Sequence, residues 1–530
     1  MEFYISIQII AFFITVVAFL LHLISKQRAT RGKGRKPPQP KGAWPVIGHL
    51  HLLAGESKLP HMIWGEVADQ LGPIFTVKLG VKLALVVSNA EIAKECLTTN
   101  DKVFASRPKS VASELMAYNY ALFGSAPFGD YWRKMRKIIM LEVLSQSRVE
   151  MLGHIRVSEI RASINDIYEG WLNNHQKSKV SNMVKVEMSQ WFGNLILNIM
   201  VMVITGRSRF SVNDEQGAQL IQMVIRKYFD LYGGSVVFDL IPYFRILNIG
   251  GYKQSMKDTA KELDNIFAKW LKERKFKRKC ENQSEGNKFF IDVLIDILQG
   301  ESEDELNGFD RDTVIKSTCQ QLLTAGTDTT SSTLTWALSL LVNNPKALEI
   351  AQCELDEQVG RKRLVEESDL KNLVYLNAII KETMRLYPPG GLSLPHESTE
   401  DCIVNGYHIP KGTILLVNLW KIHRDRNIWS DPNEFRPERF MKSHKDVDVK
   451  GNHFELIPFG SGRRMCPGVL FALKALSLTL ASLLQQFVLK NPSQEPVDMT
   501  EIFGMTNSKA TPLEVLLAPR LSSDMYHIGS

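Results

Sequence analysis

One cysteine, Cys466, lies in a glycine-rich run, FGSGRRMCPG, which also contains the pair Arg463 and Arg464. The stretch that follows, Val469 to Phe487, has the length and apolar content of a helix. A thiolate here would be stabilised by the helix N-terminus and by the arginines. The glycines would let the backbone pass close to a large flat group, while backbone N–H groups bond the sulfur. The run therefore predicts a ligand-binding loop; the alternative is a buried free cysteine in an ordinary loop.

A second chemical pattern interrupts a long helical candidate, Asp312 to Leu341. Its middle carries the polar patch AGTDTTSS at positions 325–332. Glycine costs about 1 kcal/mol in a helix interior, and clustered Thr and Ser compete for backbone hydrogen bonds. The patch therefore predicts a helix that is locally distorted for a functional reason. The alternative is a helix break at a loop, but the apolar residues on both sides of the patch favour continuity.

Two further pairs have helical spacing. Trp132 and Arg136, in the aromatic and basic segment 131–137, are four apart and share a helix face; the alternative is a solvated basic face with the tryptophan packed beneath it. Glu382 and Arg385 are three apart and can pair. On its own such a pair is a surface ion pair that contributes little stability.

Together these patterns resemble the cytochrome P-450 superfamily, and they follow the family's order. The cysteine run matches the haem-ligand loop Phe-x-x-Gly-x-Arg-x-Cys-x-Gly, and the polar patch matches the oxygen-binding motif small-Gly-x-acid-Thr-Thr. The other pairs match the family's Trp-x-x-x-Arg and Glu-x-x-Arg helices, the latter followed by FRPERF at 435–440. Residues 391–401 and 511–515 are similar to a plant microsomal group that includes nicotine demethylases and furanocoumarin hydroxylases.

The resemblance implies a role for each matching residue. Cys466 would be the axial thiolate ligand of the iron of haem b, the only metal ligand from the chain. Asp328 and Thr329 would relay protons to bound oxygen, and Gly326 would leave room for it. The haem propionates would be bound by residues from three segments: Trp132, Arg136, His396 and Arg464. Taken alone, His396 is more typical of a surface histidine. Glu382, Arg385 and Arg439 would form a buried structural triad.

The implied fold is mainly α with a small β lobe, a cytochrome P-450 fold behind an N-terminal transmembrane helix. Short β-like runs at 74–79 and 83–87, and turn signals within 402–417, agree with such a lobe. From about residue 90 onward the pattern is mostly helical. The charged stretch 272–288 predicts an exposed loop, and the resemblance places a substrate-access lid at 210–247.

The N-terminus carries the signals of a membrane anchor. Phe3 to Ile24 are 22 mostly apolar residues without formal charge, about 33 Å as a helix, which is enough to cross a bilayer. Seven basic residues and no acid follow between Lys26 and Lys41, so the positive-inside rule places the rest of the chain in the cytosol. A cleaved signal peptide is the alternative, but Glu2 stands where such peptides are basic. We expect a single-pass protein of the endoplasmic reticulum membrane.

Charge and cysteine content exclude other classes. Of 64 basic residues, seven lie in that cluster, and the remaining 57 balance 57 acidic residues, so the net charge of +7 is a membrane-flanking feature. The basic run lacks aromatics, which argues against nucleic-acid binding. Six scattered cysteines without CxxC pairs suggest neither disulfides nor zinc. The chain divides into the anchor (1–25), a basic, proline-rich hinge (26–50) with Gln39 where the family usually has glycine, and the catalytic domain (51–530).

The implied activity is that of a haem-thiolate monooxygenase acting on a hydrophobic plant specialised metabolite: a phenolic, coumarin, alkaloid or terpenoid that is hydroxylated or demethylated. Because the sequence has no flavin or nicotinamide motif, electrons must come from NADPH through a separate cytochrome P-450 reductase, which could dock near Lys134 and Lys137. Alternatives are a haem-thiolate isomerase or dehydratase, and a membrane-anchored haem sensor or carrier. Both need no proton relay, so Asp328 and Thr329 argue against them.

Substrate-facing residues follow by resemblance alone. They are expected in four stretches that are predominantly apolar, as suits a hydrophobic scaffold: 113–123, 322–325, 392–394 and 503–506.

Overall fold

The computed structural model describes residues 34–55, 58–177, 182–207, 209, 215–234, 239–241, 251–280, 288–502 and 504–527. The expected membrane anchor, most of the basic cluster, parts of the expected lid and Phe503 lie outside the described residues.

Helices form most of the described chain. They are α1 (Pro60–Leu71), α2 (Ala90–Leu97), α3 (Val111–Met116), α4 (Asp130–Ile138), α5 (Gln146–Met151), α6 (Gly153–Lys177), α7 (Met188–Thr205), α8 (Glu215–Gly234), α9 (Tyr252–Cys280), α10 (Phe290–Leu298), α11 (Arg311–Asn343), α12 (Pro345–Gln358), α13 (Val374–Leu386), α14 (Leu419–Ile422) and α15 (Val469–Gln486). The expected helices at 131–137, 312–341 and 469–487 are confirmed. A π-helical turn, Ile139–Val143, extends α4.

The strands are short. They are β1 (Ile74–Leu79), β2 (Lys82–Val87), β3 (Val184–Glu187), β4 (His396–Glu397), β5 (Cys402–Val404), β6 (Tyr407–Ile409), β7 (Ile414–Val417), β8 (Phe487–Lys490), β9 (Glu501–Ile502), β10 (Ser508–Lys509) and β11 (Glu514–Pro519). Among them, β1, β2, β7 and β4 form a four-stranded sheet in that order, with β2 and β7 parallel and the other pairs antiparallel. This sheet is the expected β lobe, and the expected runs at 74–79 and 83–87 are its first hairpin.

The central helix α11 is continuous through its polar patch. Its hydroxyl groups donate to the carbonyl oxygen four residues earlier, as in Thr329 Oγ1 to Ala325 O (2.6 Å) and Thr333 Oγ1 to Thr329 O (2.8 Å). The competing hydrogen bonds therefore stay within the helix and do not break it. A Cβ added at Gly326 would lie 2.8 Å from Met200 Cε of α7. This glycine thus allows α7 and α11 to pack closely, whereas the sequence predicted that it makes room for oxygen.

The expected loop at 272–288 is wrong for its first half, because α9 continues to Cys280. Buried Arg274 forms a two-pronged ion pair with Asp292 of α10 (2.7 and 2.8 Å), and Lys275 pairs with Asp312 of α11 (2.6 Å). The charges that suggested a solvated loop instead join three helices.

A buried triad joins α13 to the segment that precedes the cysteine loop. Both oxygens of Glu382 accept from Arg385 (2.7 and 2.8 Å), and one of them also accepts from Arg439 Nε (3.0 Å). The side chains of Glu382 and Arg385 are fully buried. Arg385 also donates to the carbonyls of His423 and Pro432 (2.8 and 2.7 Å). The expected structural triad is confirmed.

Two described helices, α7 and α15, are apolar and long enough to cross a membrane, but 67% and 72% of their residues are buried inside the protein. Both belong to the core that supports the site.

Candidate active site

The cysteine loop is shaped by backbone contacts that require particular residues. Cys466 N donates to Phe459 O (2.9 Å), and Ser461 Oγ donates to Gly451 O (2.6 Å). Gly462 has a φ of +67°, and a Cβ there would lie 2.5 Å from Leu97 O. Only glycine fits such a position without displacing the neighbouring backbone. The loop delivers Cys466 to the start of α15.

The surroundings of the Cys466 sulfur differ from the sequence expectation. Gly468 N donates to Sγ (3.4 Å), as a helix N-terminus allows. The adjacent arginines point away: Arg463 pairs with Asp101 (3.1 Å), and Arg464 reaches backbone carbonyls. The cation that acts on the sulfur is Arg136, from α4. The arginines next to the cysteine in sequence therefore are not the ones that stabilise its thiolate.

The Cys466 thiol fits a metal ligand. Cys466 is a free cysteine that is only partly buried, at the start of α15. Burial raises the pKa of Cys466, and the Gly468 N–H and Arg136 lower it by less. A metal cation bound at the sulfur would favour the thiolate over the thiol and so oppose the effect of burial.

A cluster of cations lies beside the cysteine. Arg464 donates to Ala105 O (2.6 Å) and Ala126 O (2.7 Å), and its guanidinium lies 4.3 Å from the centroid of the Trp132 ring. The pKa of Arg464 is lowered to about 8, mainly by burial and then by the neighbouring charges of Arg107 and Arg136. The fold thus brings three guanidinium groups together in one interior region.

None of these three arginines pairs with a carboxylate of any described residue. Burying positive charge without an anion is unfavourable, and guanidinium groups match carboxylates in shape and hydrogen bonding. The cluster therefore fits the two acidic side chains of a haem. Of the predicted propionate-binding residues, Trp132, Arg136 and Arg464 are brought together here.

His396 lies at the edge of the same cluster. It is buried on β4, and its Nδ1 donates to Phe104 O (2.8 Å). Its pKa is lowered well below the usual value, by burial and then by Arg107 and Arg464, so the ring is neutral and Nε2 is an acceptor. A carboxylate at Nε2 would favour the charged ring, which donates from both nitrogens. The alternative of a surface histidine is wrong.

Arg107 was missed by the sequence interpretation. Its guanidinium donates to Leu394 O (2.9 Å), Pro395 O (2.7 Å) and Gly124 O (3.4 Å), and burial lowers its pKa to about 10. In sequence, the only signal is a lone basic residue before a proline, which is too common to mark a site. Arg107 ties the turn before His396 to the loop that holds Arg464.

The two predicted relay residues point in different directions from α11. Thr329 is half-buried and donates to Ala325 O, which leaves its lone pairs free to accept. Asp328 interacts with Arg226 and Asp230, both on α8. Burial raises the pKa of Asp328, opposed by Thr506 and Arg226. A carboxyl with a raised pKa exchanges protons nearer neutral pH than an ordinary one does.

Two sequence expectations near the site need correction. Lys134 is paired with Glu301, so it is not a free surface cation, whereas Lys137 is exposed. Of the expected substrate-facing stretch 322–325, Leu322 and Leu323 are buried and Ala325 is exposed.

The site combines a partly buried cysteine with three arginines that have no carboxylate partner among the described residues. A haem-thiolate protein needs both features, a cysteine for the iron and cations for the two acid groups of the haem. The family model "Cytochrome P450" matches residues 37–515. The chain belongs to the cytochrome P450 family and is a P450 monooxygenase, with the haem-thiolate chemistry that the family implies.

Relatives from plants cover nearly the whole chain. It is 49% identical over 523 residues to demethylepipodophyllotoxin synthase of Sinopodophyllum hexandrum, covering 98% of both chains. It is 44% identical over 526 residues to xanthotoxin 5-hydroxylase of Arabidopsis thaliana, covering 98% of this chain and 99% of the relative. The predicted plant P-450 group is confirmed.

Among solved structures, a zebra fish cytochrome P450 with progesterone superposes with a TM-score of 0.72 at 25% identity. The match covers 87% of this chain and 100% of that one. The predicted fold is confirmed.

Proposed function

We propose that the chain hydroxylates an oxygenated aromatic plant metabolite, using haem b and electrons delivered from NADPH by a separate reductase. The observation that carries the proposal is that Arg136, which acts on the Cys466 sulfur, belongs to a cluster of three arginines that have no carboxylate partner among the described residues. When bound, the haem supplies activation of dioxygen, from which one oxygen atom enters the substrate and the other leaves as water.

The chain's own residues hold and orient that group. Cys466 would hold the iron of the haem through its thiolate, which would supply electron density to the metal. The two propionate groups of the haem would be held by residues from four segments of the chain: Arg107, Trp132 together with Arg136, His396, and Arg464. Arg136 also acts on the Cys466 sulfur, so one guanidinium would interact both with the propionates and with the ligand of the iron.

Proton delivery falls to α11. Asp328 takes protons from the side of α8, where its charged neighbours lie, and Thr329 holds a proton donor near the oxygen through its free lone pairs. Since the two side chains face different directions, a water molecule between them would complete the relay.

Electrons enter through a basic surface. Lys137 is exposed on α4, next to Arg136, and fits an acidic reductase; Arg463 of the cysteine loop is also exposed but, like Lys134, is already paired, with Asp101. We place the enzyme at the endoplasmic reticulum membrane with its catalytic domain in the cytosol, because of the apolar N-terminus and the basic cluster that follows it.

The substrate class rests on the relatives. Their names describe a synthase of demethylepipodophyllotoxin and a hydroxylase of xanthotoxin. Both compounds carry oxygenated aromatic rings, and we propose hydroxylation of the same chemical class here.

The test is a carbon monoxide difference spectrum of reduced microsomes that contain the chain, followed by turnover with a plant NADPH reductase on coumarins, lignans and flavonoids. We expect the strongly red-shifted Soret band of a thiolate-ligated haem and a product one oxygen heavier than its substrate. A Soret band of histidine-ligated haem in folded protein would contradict the proposal.

Thr329→Ala is expected to retain haem but to divert NADPH into hydrogen peroxide, lowering the yield of product per NADPH about tenfold or more. The measurement is product, peroxide and NADPH in one assay. Thr333→Ala is the matched control, because Thr333 makes the same bond to the carbonyl four residues earlier but is buried. Unchanged coupling in Thr329→Ala would remove the relay role.

Arg464→Met is expected to lower the haem content of purified protein severalfold, because one of the partners of the acid groups is lost. Arg463→Met is the control. Arg463 is the sequence neighbour of Arg464, but it is half-exposed and paired with Asp101, so its replacement should leave the haem content unchanged. Equal haem content in both variants would contradict the assignment of Arg464.

A further inference from the structure

Gln321 lies on the face of α11 that also carries the exposed Ala325 and the half-buried Thr329, and the sequence did not single it out. It precedes Ala325 by four residues and Thr329 by eight, so the three side chains share one face of the helix. Its neighbours Gln320 and Leu322 are buried, whereas Gln321 is only partly so. The stripe that carries Thr329 therefore continues to a polar amide.

The orientation of this amide is set by Gly124. Gly124 N donates to Gln321 Oε1 (2.8 Å), and an N–H can be satisfied only by the oxygen end of the carboxamide. A Cβ added at Gly124 would lie 2.4 Å from Nε2, so the amide rests flat against the glycine. With Oε1 engaged, no described residue accepts a hydrogen bond from Nε2.

The same loop places Gln321 at the active site. Gly124 O accepts from Arg107, and the carbonyls of Phe123 and Ala126 accept from Arg464. Gln321 thus contacts the loop whose carbonyls bind two of the site's cations. Gln321 is only partly buried, and it lies on the helix face that also presents Thr329.

We propose that Gln321 Nε2 donates a hydrogen bond to a carbonyl oxygen of the substrate and selects for aromatic substrates that carry a ring carbonyl. An uncharged donor whose own oxygen is already engaged suits a neutral acceptor and offers nothing to a protonated amine. This inference rests on the proposed function and names the substrate feature that the site recognises. The competing role is purely structural, with Gln321 serving only to hold Gly124.

The test uses a matched pair of probes, coumarin and 2H-chromene, which lacks the carbonyl. Binding to the purified holoenzyme is measured by optical titration and by calorimetry. We expect coumarin to bind about tenfold more tightly than 2H-chromene, and this preference to disappear in Gln321→Leu.

Gln321→Glu separates the two roles. The glutamate keeps an oxygen for Gly124 N but replaces the free donor by a second acceptor. We expect it to bind coumarin no more tightly than 2H-chromene, with a normal carbon monoxide spectrum.

A Gln321→Glu variant that keeps the coumarin preference would overturn the inference and leave Gln321 a structural role. Because the spectrum reports the haem site and the titration reports Gln321, this failure is distinct from failure of the proposed function. The latter would appear as loss of the thiolate band in the unaltered protein.

Discussion

Cys466→Ala is expected to abolish both the red-shifted carbon monoxide band and all turnover. Cys466 is only partly buried, and Gly468 N at the N-terminus of α15 donates to its sulfur. No other described cysteine lies in a comparable place, since Cys96 and Cys319 are buried in the core and Cys280, Cys353 and Cys402 belong to distant elements. Without the thiolate the iron has no axial donor from the chain, and the electron donation that assists cleavage of dioxygen is lost.

The measurement is the difference spectrum and product formation of the variant beside its far-ultraviolet circular dichroism. Folding should survive, because alanine removes only a partly accessible sulfur. Cys353→Ala is the control: that cysteine is exposed on α12, and both readouts should match the unaltered enzyme. A Cys466→Ala protein with the thiolate band would refute the ligand assignment.

Glu382→Ala is expected to have the largest effect on stability. It would leave Arg385 and Arg439 buried without their shared carboxylate. Breaking a buried ion pair by removing one partner costs about 3–5 kcal/mol, a large part of the roughly 5–15 kcal/mol by which folded domains are stable. We expect the variant to lose most folded holoenzyme on expression and to unfold at a markedly lower temperature in calorimetry.

Glu434→Ala is its matched control. Glu434 pairs with Arg436, but both side chains are exposed, so the change should be within about 1 kcal/mol. The unfolding temperature of Glu382→Gln should lie between those of Glu382→Ala and Glu434→Ala, because the amide keeps a hydrogen-bond acceptor but loses the charge. If Glu382→Ala unfolded at the same temperature as Glu434→Ala, the triad would not be the structural support that its burial indicates.

The sequence predicts the local parts of this site well. The run around Cys466 and the patch around Thr329 encode their own geometry, because glycine, capping residues and helical spacing act over a few residues. The hydrophobic pattern likewise predicts α11 and the hairpin β1–β2. These features need no information from distant segments.

Three errors share one cause. Each concerns charged residues that were interpreted from their neighbours in sequence: Lys134, the start of the stretch 272–288, and the two arginines near the cysteine. Their partners, which include Glu301 and Asp292, come from remote segments. The same residue types are solvated on a free helix and paired once another helix packs against them, so composition alone cannot distinguish the two.

By itself, then, the sequence determined the class of enzyme, the axial ligand and the central helix, because each is encoded by residues close together in the chain. Only the tertiary structure decided which cations meet at the site and which side chains face it. Arg107, Arg136 and Arg464 come from three separate segments: Arg107 and Arg464 both donate to carbonyls of the loop 123–126, and Arg136 lies close enough to Arg464 to lower its pKa. The orientation of the Gln321 amide, with Nε2 as its remaining donor, is set by the hydrogen bond from Gly124 N to Oε1. Such contacts depend on packing between distant segments, which short-range spacing does not encode.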